Sequence, residues 1–270
     1  MARIARSLPL VLAAGVLMGN PAVRGQARDA AQVLAAARIA LGGEKNLAAV
    51  ATFVATGRTR QLRGNNLVPI EFEIACELPD KYVRRDEFPA QDAPPAISGF
   101  RGDTALGPQP IDVTRLDLVR LMLGAFAAPP ASVPLAFKYD AEGDAPEGKA
   151  DVLDVTGPAN LSAQFVVQRD THLPVMLMWR APSGGGPAFG GGRAAPTPPP
   201  GGPPPGARAG GPPPPADHRL YFADYRGVNG GVKWPFRVRH AVAGTTIEET
   251  TFDRVTINAK IDPKKFEAPK

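Results

Sequence analysis

Between residues 50 and 101, apolar and polar side chains alternate with the period of two that strands show when they bury one face of a sheet. The run Ile70–Leu78 is the clearest case, because its even positions are apolar and three of its four odd positions are glutamate. The pattern predicts strands over Val50–Leu62, Leu67–Leu78, Lys81–Phe88 and Ile97–Arg101. Gly64-Asn65 and Pro79-Asp80 mark turns between them. Short strands joined by short turns favour antiparallel pairing of neighbours.

Two segments have the spacing of helices instead. In the first, Asp29 is a candidate N-cap and Gly42-Gly43 ends the pattern. One face of this helix carries Leu34, Ala37 and Leu41. A short second turn is expected around residues 46–49. An amphipathic helix of this kind is expected to pack on the sheet.

The second helical segment is Asp112–Ala128, and Pro129-Pro130 ends it. Its apolar residues recur at helical spacing at Leu116, Val119, Leu123 and Phe126. Arg115, Asp117 and Arg120 form a narrow polar strip. A helix that is apolar over most of its circumference is expected to be buried on more than one side. Two interpretations remain open, a fixed core helix or a lid over a curved sheet.

Strands are predicted again in the second half of the chain, with hairpin signals at Gly227–Gly231. They are Leu135–Tyr139, Ala150–Thr156, Ser162–Arg169, Pro174–Arg180, Asp217–Arg226, Val232–Val242 and Thr246–Ile257. In the strand Val232–Val242 one face carries Val232, Trp234, Phe236, Val238, His240 and Val242. The other face carries Lys233, Pro235, Arg237 and Arg239, and the proline indicates an edge position or a bulge.

The segment Ser183–Pro215 has a different composition, with 11 Gly and 12 Pro among its 33 residues. Such a segment buries too little apolar surface to offset its ordering entropy, so we predict a disordered loop, residues 183–215. About three strands follow it, which are too few to be stable alone. The sequence therefore predicts one domain over residues 26–270, interrupted by a tolerated insertion; a proline-rich ligand segment is the alternative.

The first 25 residues have the pattern of a signal peptide, with Arg3 and Arg6 before the apolar run Leu8–Met18. We predict export to the periplasm with cleavage near residue 25; an uncleaved anchor is the alternative. No cysteine lies near the cleavage site, so the protein is not expected to be a lipoprotein. Removing residues 1–25 takes away three arginines and lowers the net charge from +5 to +2. The charge therefore does not indicate a nucleic-acid partner.

Residues for catalysis do not assemble into a known motif. The sequence contains no G-x-S-x-G, H-E-x-x-H or Walker pattern, and no glycine fingerprint follows a strand. His172, His218 and His240 lie far apart, and Cys76 is expected to be a buried structural thiol, so no metal site or cofactor is predicted. Glu71, Glu73 and Glu77 are interpreted as a solvated strand face. We therefore expect a protein that is not an enzyme.

Two stretches near the C-terminus carry a family resemblance. The first is Phe222–Pro235, with its pattern of strand, tyrosine, glycine turn and Lys-x-Pro; the second is Val255–Phe266. With the turn at Leu78–Tyr82, they resemble the periplasmic lipoprotein-carrier superfamily, which includes the outer-membrane lipoprotein-sorting proteins. The resemblance implies an α+β fold in which one open, strongly curved antiparallel sheet, a half-barrel, holds helices on its concave side. It also implies that acyl chains bind there.

The resulting hypothesis is a monomeric periplasmic carrier for an acylated or lipidic ligand, with transient membrane or envelope-protein contacts and no nucleic-acid partner. The residues expected to line its apolar pocket are Phe72, Ile74, Leu116, Val119, Leu123, Phe126, Trp234, Phe236 and Val238. Two alternatives stay open. One is a structural or interaction module of the cell envelope that uses the Pro/Gly-rich arm, and the other is a secreted hydrolase built from scattered carboxylates.

Overall fold

The computed structural model describes residues 29–182 and 214–267. Within these ranges the chain forms twelve strands and three α-helices. The helices are α1 (Ala30–Ala40), α2 (Glu44–Ala48) and α3 (Ile111–Phe126). The strands are β1 (Thr52–Arg63), β2 (Asn66–Glu77), β3 (Lys81–Glu87), β4 (Ala96–Arg101), β5 (Thr104–Ala105), β6 (Ala136–Ala145), β7 (Gly148–Gly157), β8 (Leu161–Gln168), β9 (Pro174–Pro182), β10 (Pro215–Gly227), β11 (Lys233–Val242) and β12 (Thr245–Ile257). The predicted signal peptide and most of the predicted loop lie outside the described residues.

All twelve strands belong to one antiparallel sheet in the order β5-β4-β3-β2-β1-β12-β11-β10-β9-β8-β7-β6. Every pair joins strands that are consecutive in the chain, except β1 with β12. The two ends of this order, β5 and β6, are connected through α3, so the helix carries the chain from one edge of the sheet to the other. The sheet is not closed. The predicted class, an open curved α+β half-barrel, is confirmed.

One side of the sheet packs on the helices, and we call it the inner face. Its buried apolar side chains form one continuous cluster with those of α1, α2 and α3. The opposite, outer face is covered in part by the C-terminal segment, where Phe266 packs with Ala75, Val83 and Leu106. This contact shows that the end of the family-like stretch Val255–Phe266 has a structural role.

Strand β11 confirms the face assignment made from its alternation. The six residues predicted to share an apolar face are all buried, and Lys233, Arg237 and Arg239 are exposed. Pro235 is also buried, contrary to the simple alternation. It lies where β11 is paired with β10 but not yet with β12, whose pairing begins at Arg237. The missing donor of the proline is therefore accommodated at a locally unpaired edge.

Helix α1 begins as predicted, because the side chain of Asp29 accepts a hydrogen bond from the Ala31 backbone N–H. Its buried face carries Val33 and Ala37, whereas Leu34 is only half-buried. At its C-terminal end Gly42 has a φ of +134°, and a Cβ there would lie 2.3 Å from the carbonyl oxygen of Gly231. Only glycine allows this close approach of the helix end to the β10–β11 connection.

The residues before position 183 and those after position 213 form neighbouring strands. Pro182 of β9 lies opposite Pro215 of β10, and the register continues to Met176 opposite Tyr221. The last residue of β9 and the first residue of β10 therefore lie side by side at one end of the sheet. No helix of the described residues is long and apolar enough to cross a membrane.

Candidate functional site

An aromatic group forms the centre of the apolar inner face. The ring of Trp234 is fully buried, and its centroid lies 5.2 Å from that of Phe53 and 5.6 Å from those of Phe126 and Phe252. The rings meet tilted or edge to face, the arrangements that aromatic quadrupoles favour. Strands β1, β11 and β12 and the end of α3 are therefore joined through one tryptophan.

Most of the residues predicted to line an apolar pocket lie together on this inner face. Eight of the nine belong to the same buried cluster: Phe72, Ile74, Val119, Leu123, Phe126, Trp234, Phe236 and Val238. Leu116 is half-buried and lies outside that cluster. The fold thus brings the eight together, and their contact with a ligand stays a prediction.

Helix α3 packs on the inner face through a glycine and a tyrosine. A Cβ at Gly124 would lie 2.3 Å from the ring of Phe222 on β10, so the missing side chain lets the helix approach the strand closely. The hydroxyl of Tyr225 lies 2.7 Å from the carbonyl oxygen of Gly124 and 2.9 Å from that of Pro174. Tyr225 therefore links the helix to β9 and β10 at one point.

An apolar groove opens at the C-terminal end of α3. Its volume is about 340 Å³, within the range of small-molecule sites. Its lining comes from α1, α2, the start of β1, the β2–β3 turn and the end of α3: Arg38, Leu47, Val50, Ala51, Leu78, Pro79, Met122, Phe126, Ala128, Pro129, Pro130 and Ala131. Phe126 belongs both to this groove and to the aromatic group, so the groove borders the apolar inner face.

A cationic group lies beside this groove. The guanidinium of Arg38 donates two hydrogen bonds to the carboxylate of Glu44, at 2.5 and 2.6 Å, and holds the pKa of that carboxyl below its ordinary value. Arg38 is the one charged residue among those that line the groove. The groove therefore combines an apolar lining with a single neutralised charge, which suits an acyl chain better than a polar ligand.

A second part of the inner face is polar, and sequence reasoning missed it. Arg84 donates to Asp86 over 2.7 Å and to the hydroxyl of Thr59 over 3.2 Å, and that hydroxyl lies 2.9 Å from the hydroxyl of Thr250. Thr250 in turn donates to Glu248 over 3.4 Å. These five residues, from β1, β3 and β12, are buried, and we call them the polar cluster.

Three side-chain atoms of the polar cluster are buried without a hydrogen-bond partner among the described residues. They are Nη1 of Arg84, Oδ2 of Asp86 and Oε2 of Glu248. An unsatisfied buried polar group costs about 1–3 kcal/mol, more when it is charged. Folded proteins keep few such groups. Three of them in one cluster therefore point to hydrogen-bonding partners other than the described protein atoms.

Burial governs the protonation of this cluster. It raises the pKa of Glu248 to about 7, although the positive charge of Arg84 acts in the opposite direction. Burial also raises the pKa of Asp86. The negative charges of Asp86 and Asp117 act on Glu248 as well, so α3, which carries Asp117, contributes to the field of the cluster. Near neutral pH the Glu248 carboxyl is therefore present in both its charged and its neutral form.

Two histidines that are 22 positions apart in the sequence meet beside the cluster. Nδ1 of His218 lies 3.0 Å from Nε2 of His240, and Trp179 stacks on both rings at 5.3 and 5.5 Å. Arg120 of α3 lies 4.3 Å above the Trp179 ring and pairs with Asp117. Burial, together with the charges of His218 and Arg120, lowers the pKa of His240 to about 3.

The histidine pair corrects the expectation based on sequence separation, because the β10–β11 hairpin places two of the three histidines side by side. A pair is still too small for a metal centre. In residues 29–182 and 214–267, no group of three or more His, Cys, Asp or Glu side chains is arranged to hold a metal ion. Cys76 is fully buried on the inner face, and burial raises the pKa of its thiol well above the ordinary value, as expected for a structural cysteine.

The open sheet and its helix-covered inner face define a class of protein, the half-barrels with an apolar concave side. Among solved structures, a LolA superfamily protein from Nitrosomonas europaea matches with a TM-score of 0.55 at 12% sequence identity, over 89% of this chain and 98% of that chain. An outer membrane lipoprotein-sorting protein domain from Vibrio parahaemolyticus matches with a TM-score of 0.50 at 7% identity, over 88% and 97% of the two chains.

These similarities show that the chain has the fold of the LolA superfamily, which confirms the resemblance at the level of fold. At such low identities, the likeness defines the architecture and no residue roles. No protein-family model matches the sequence. No curated protein matches it either.

Proposed function

We propose that this protein is a periplasmic carrier, without catalytic activity, that binds an acyl chain or another lipidic ligand on the inner face of its half-barrel. The observation that carries the proposal is the apolar groove of about 340 Å³ that borders, at Phe126, the buried apolar cluster of the inner face. Burial of a ligand's apolar surface there provides about 25 cal/mol per Å². The fold shared with lipoprotein-sorting proteins supports the same ligand class.

The periplasmic location rests on the signal peptide predicted for residues 1–25. A monomer fits the proposal, because the inner face is covered by the chain's own helices and needs no second copy to cover it. We propose that its ligand is a lipid or the acyl chain of a lipoprotein. We also propose that it makes transient contact with a membrane or with an envelope protein. The envelope module and the secreted hydrolase receive no comparable support from a site in the described residues.

A bulky side chain in the groove tests this proposal. Ala128→Trp is expected to weaken binding of a fluorescent long-chain fatty acid at least tenfold, which corresponds to about 1.4 kcal/mol, because Ala128 lines the groove and is half-buried. Ala90→Trp, at an exposed position, is the matched control and should leave the affinity unchanged. Equal affinities for the two variants would show that the groove is not the site, and a wild-type protein that binds no lipid would refute the carrier proposal.

Ligand access to the centre of the inner face requires α3 to move, because Trp234 is fully buried and the Phe126 ring at the end of α3 packs on it. Tyr225 is the contact that opposes this motion. The helix ends at Ala127, whose φ of +49° turns the chain out of the helix before Pro129-Pro130. We infer that α3 is a lid whose C-terminal turn is held on the sheet by the Tyr225 link.

Removing the Tyr225 hydroxyl tests the lid. Tyr225→Phe is expected to speed the uptake of the fluorescent fatty acid several-fold in stopped-flow measurements, because the link from the helix to β9 and β10 is lost. Tyr221→Phe, on the outer face, is the matched control and should bind at the wild-type rate. If the two variants take up the probe equally fast, α3 is a fixed core helix.

A further inference from the structure

We propose that the polar cluster binds the neutral, hydroxyl-bearing headgroup of the lipid whose acyl chain occupies the apolar inner face. This inference rests on the proposed function and adds the chemistry of the ligand's polar end. It starts from the three buried atoms without a described partner, Nη1 of Arg84, Oδ2 of Asp86 and Oε2 of Glu248.

The polar cluster and the apolar inner face are contiguous. The guanidinium of Arg84 lies 4.4 Å above the ring of Phe72, which is one of the eight clustered pocket residues. The rings of Phe72 and Phe252 pack edge to face, with their centroids 5.5 Å apart. The rings of Phe252 and Trp234 pack in the same geometry, with their centroids 5.6 Å apart. A single ligand that lies along this line places its chain against the aromatic rings and its polar end at Arg84.

The helix that covers the apolar site also acts on the cluster. Asp117 of α3 contributes to the electrostatic environment of Glu248 and of Tyr82. Tyr82 lies two residues before Arg84 on β3, so both side chains are on the same face of the strand. Their partners on β2, Cys76 and Ile74, are likewise two residues apart. Helix α3 therefore acts on both halves of the proposed site, on the apolar half by packing and on the polar half through the charge of Asp117.

The charges and donors of the cluster select the headgroup. An anion would meet two carboxylates, Asp86 and Glu248, whereas Arg84 already donates through Nε and Nη2 to Asp86 and Thr59. An ammonium group would satisfy the carboxylate oxygens but offers no acceptor to Nη1 of Arg84. A hydroxyl group both donates and accepts, so two neighbouring hydroxyls satisfy all three atoms. The neutral fraction of Glu248 near pH 7 reduces the charge that such a group must meet.

The test compares two lipids with the same chain. We would measure displacement of the fluorescent fatty acid by 1-monopalmitoylglycerol, which has two free hydroxyls, and by methyl palmitate, which has none. The wild-type protein is expected to bind monopalmitoylglycerol at least tenfold more tightly. Glu248→Met, which removes both carboxylate oxygens, should reduce that preference to less than twofold by weakening monopalmitoylglycerol alone. Glu249→Met, on the exposed outer side of the same strand, is the matched control and should keep the preference.

Each further result has a defined meaning. Asp86→Asn, which exchanges one acceptor for a donor, should also lower the preference for monopalmitoylglycerol. This variant replaces Glu248→Met in the test if circular dichroism shows that Glu248→Met is unfolded. A wild-type preference below twofold, or one that survives in both variants, would overturn the headgroup site and leave the carrier function standing. Failure of both lipids to displace the bound probe would also overturn the headgroup site, whereas failure of the fluorescent fatty acid itself to bind would refute the carrier function. Displacement by free glycerol would show a polyol site independent of lipid and would overturn the proposal.

Discussion

Replacing Trp234 with alanine is expected to lower the free energy of unfolding by about 3–5 kcal/mol, the usual cost of deleting a fully buried large aromatic side chain. The loss is large because this ring contacts Phe53, Phe126 and Phe252, which come from two other strands and from α3. Urea denaturation followed by circular dichroism measures the change.

Two further variants test the explanation. Lys233→Ala, one residue away on the exposed side of β11, should change stability by no more than about 0.5 kcal/mol. Trp234→Phe should cost much less than Trp234→Ala, because the indole Nε1 has no hydrogen-bond partner among the described residues and ring stacking is retained. A loss of less than about 1 kcal/mol for Trp234→Ala would contradict close packing and indicate an inner face that is already open in the free protein.

Glu248→Gln is expected to remove a decline in stability that the wild-type protein shows as pH rises from about 5 to about 8. Burial raises the folded-state pKa of Glu248 to about 7, whereas the unfolded carboxyl titrates near its ordinary value of 4.5. At a pH between these two pKa values, the folded state keeps a proton that the unfolded state has released. Each pH unit of increase therefore lowers the free energy of unfolding by up to about 1.4 kcal/mol. The full effect across the window is on the order of 3 kcal/mol.

The measurement is the difference in unfolding free energy between wild type and variant at pH 5, 6, 7 and 8. This difference isolates Glu248 from Asp86, whose raised pKa acts in the same direction and is present in both proteins. The same difference also removes the contribution of His240, which is present in both proteins. Because the folded-state pKa of His240 is lowered to about 3, this residue makes the protein less stable as the pH falls below about 6.5. Glu249→Gln is the matched exposed control, and parallel curves for wild type and Glu248→Gln would contradict the burial of an ionisable carboxyl.

The close packing under α3 bears on the function, because a carrier must exchange its own core contacts for those of its ligand. The eight clustered pocket residues are all buried within one apolar cluster of the structure. Under the proposed function, ligand binding would replace protein–protein burial with protein–lipid burial of similar apolar area, and the net affinity would then be moderate. The Tyr225 link and the close packing at Gly124 are the contacts that the proposed lid motion would break.

The sequence by itself determined the local elements of this protein. Burial on one face of a sheet imposes alternation, so β2 and β11 could be assigned with their buried faces from Ile70–Leu78 and Val232–Val242. The same reasoning placed α3 from its helical spacing and its terminating prolines, and assigned Cys76 to the interior. These features depend on neighbours within about ten positions, and the resemblance in the C-terminal stretches then indicated the correct fold.

Only the tertiary structure decided which distant residues meet. The pairing of β1 with β12 places Phe53 opposite Ile257 and Thr59 opposite Thr250, and nothing in either strand encodes that register. The polar cluster depends on this pairing. The sequence predicted β3 as a strand but did not indicate which of its faces is buried, because charged residues occupy both faces. Arg84 and Asp86 are buried in the assembled sheet, where Thr59 of β1 and Phe72 of β2 lie beside the Arg84 guanidinium. In the same way, His218 and His240 meet only through their hairpin. Burial of polar groups is a property of the assembled neighbours, and a one-dimensional pattern of hydrophobicity carries no record of it.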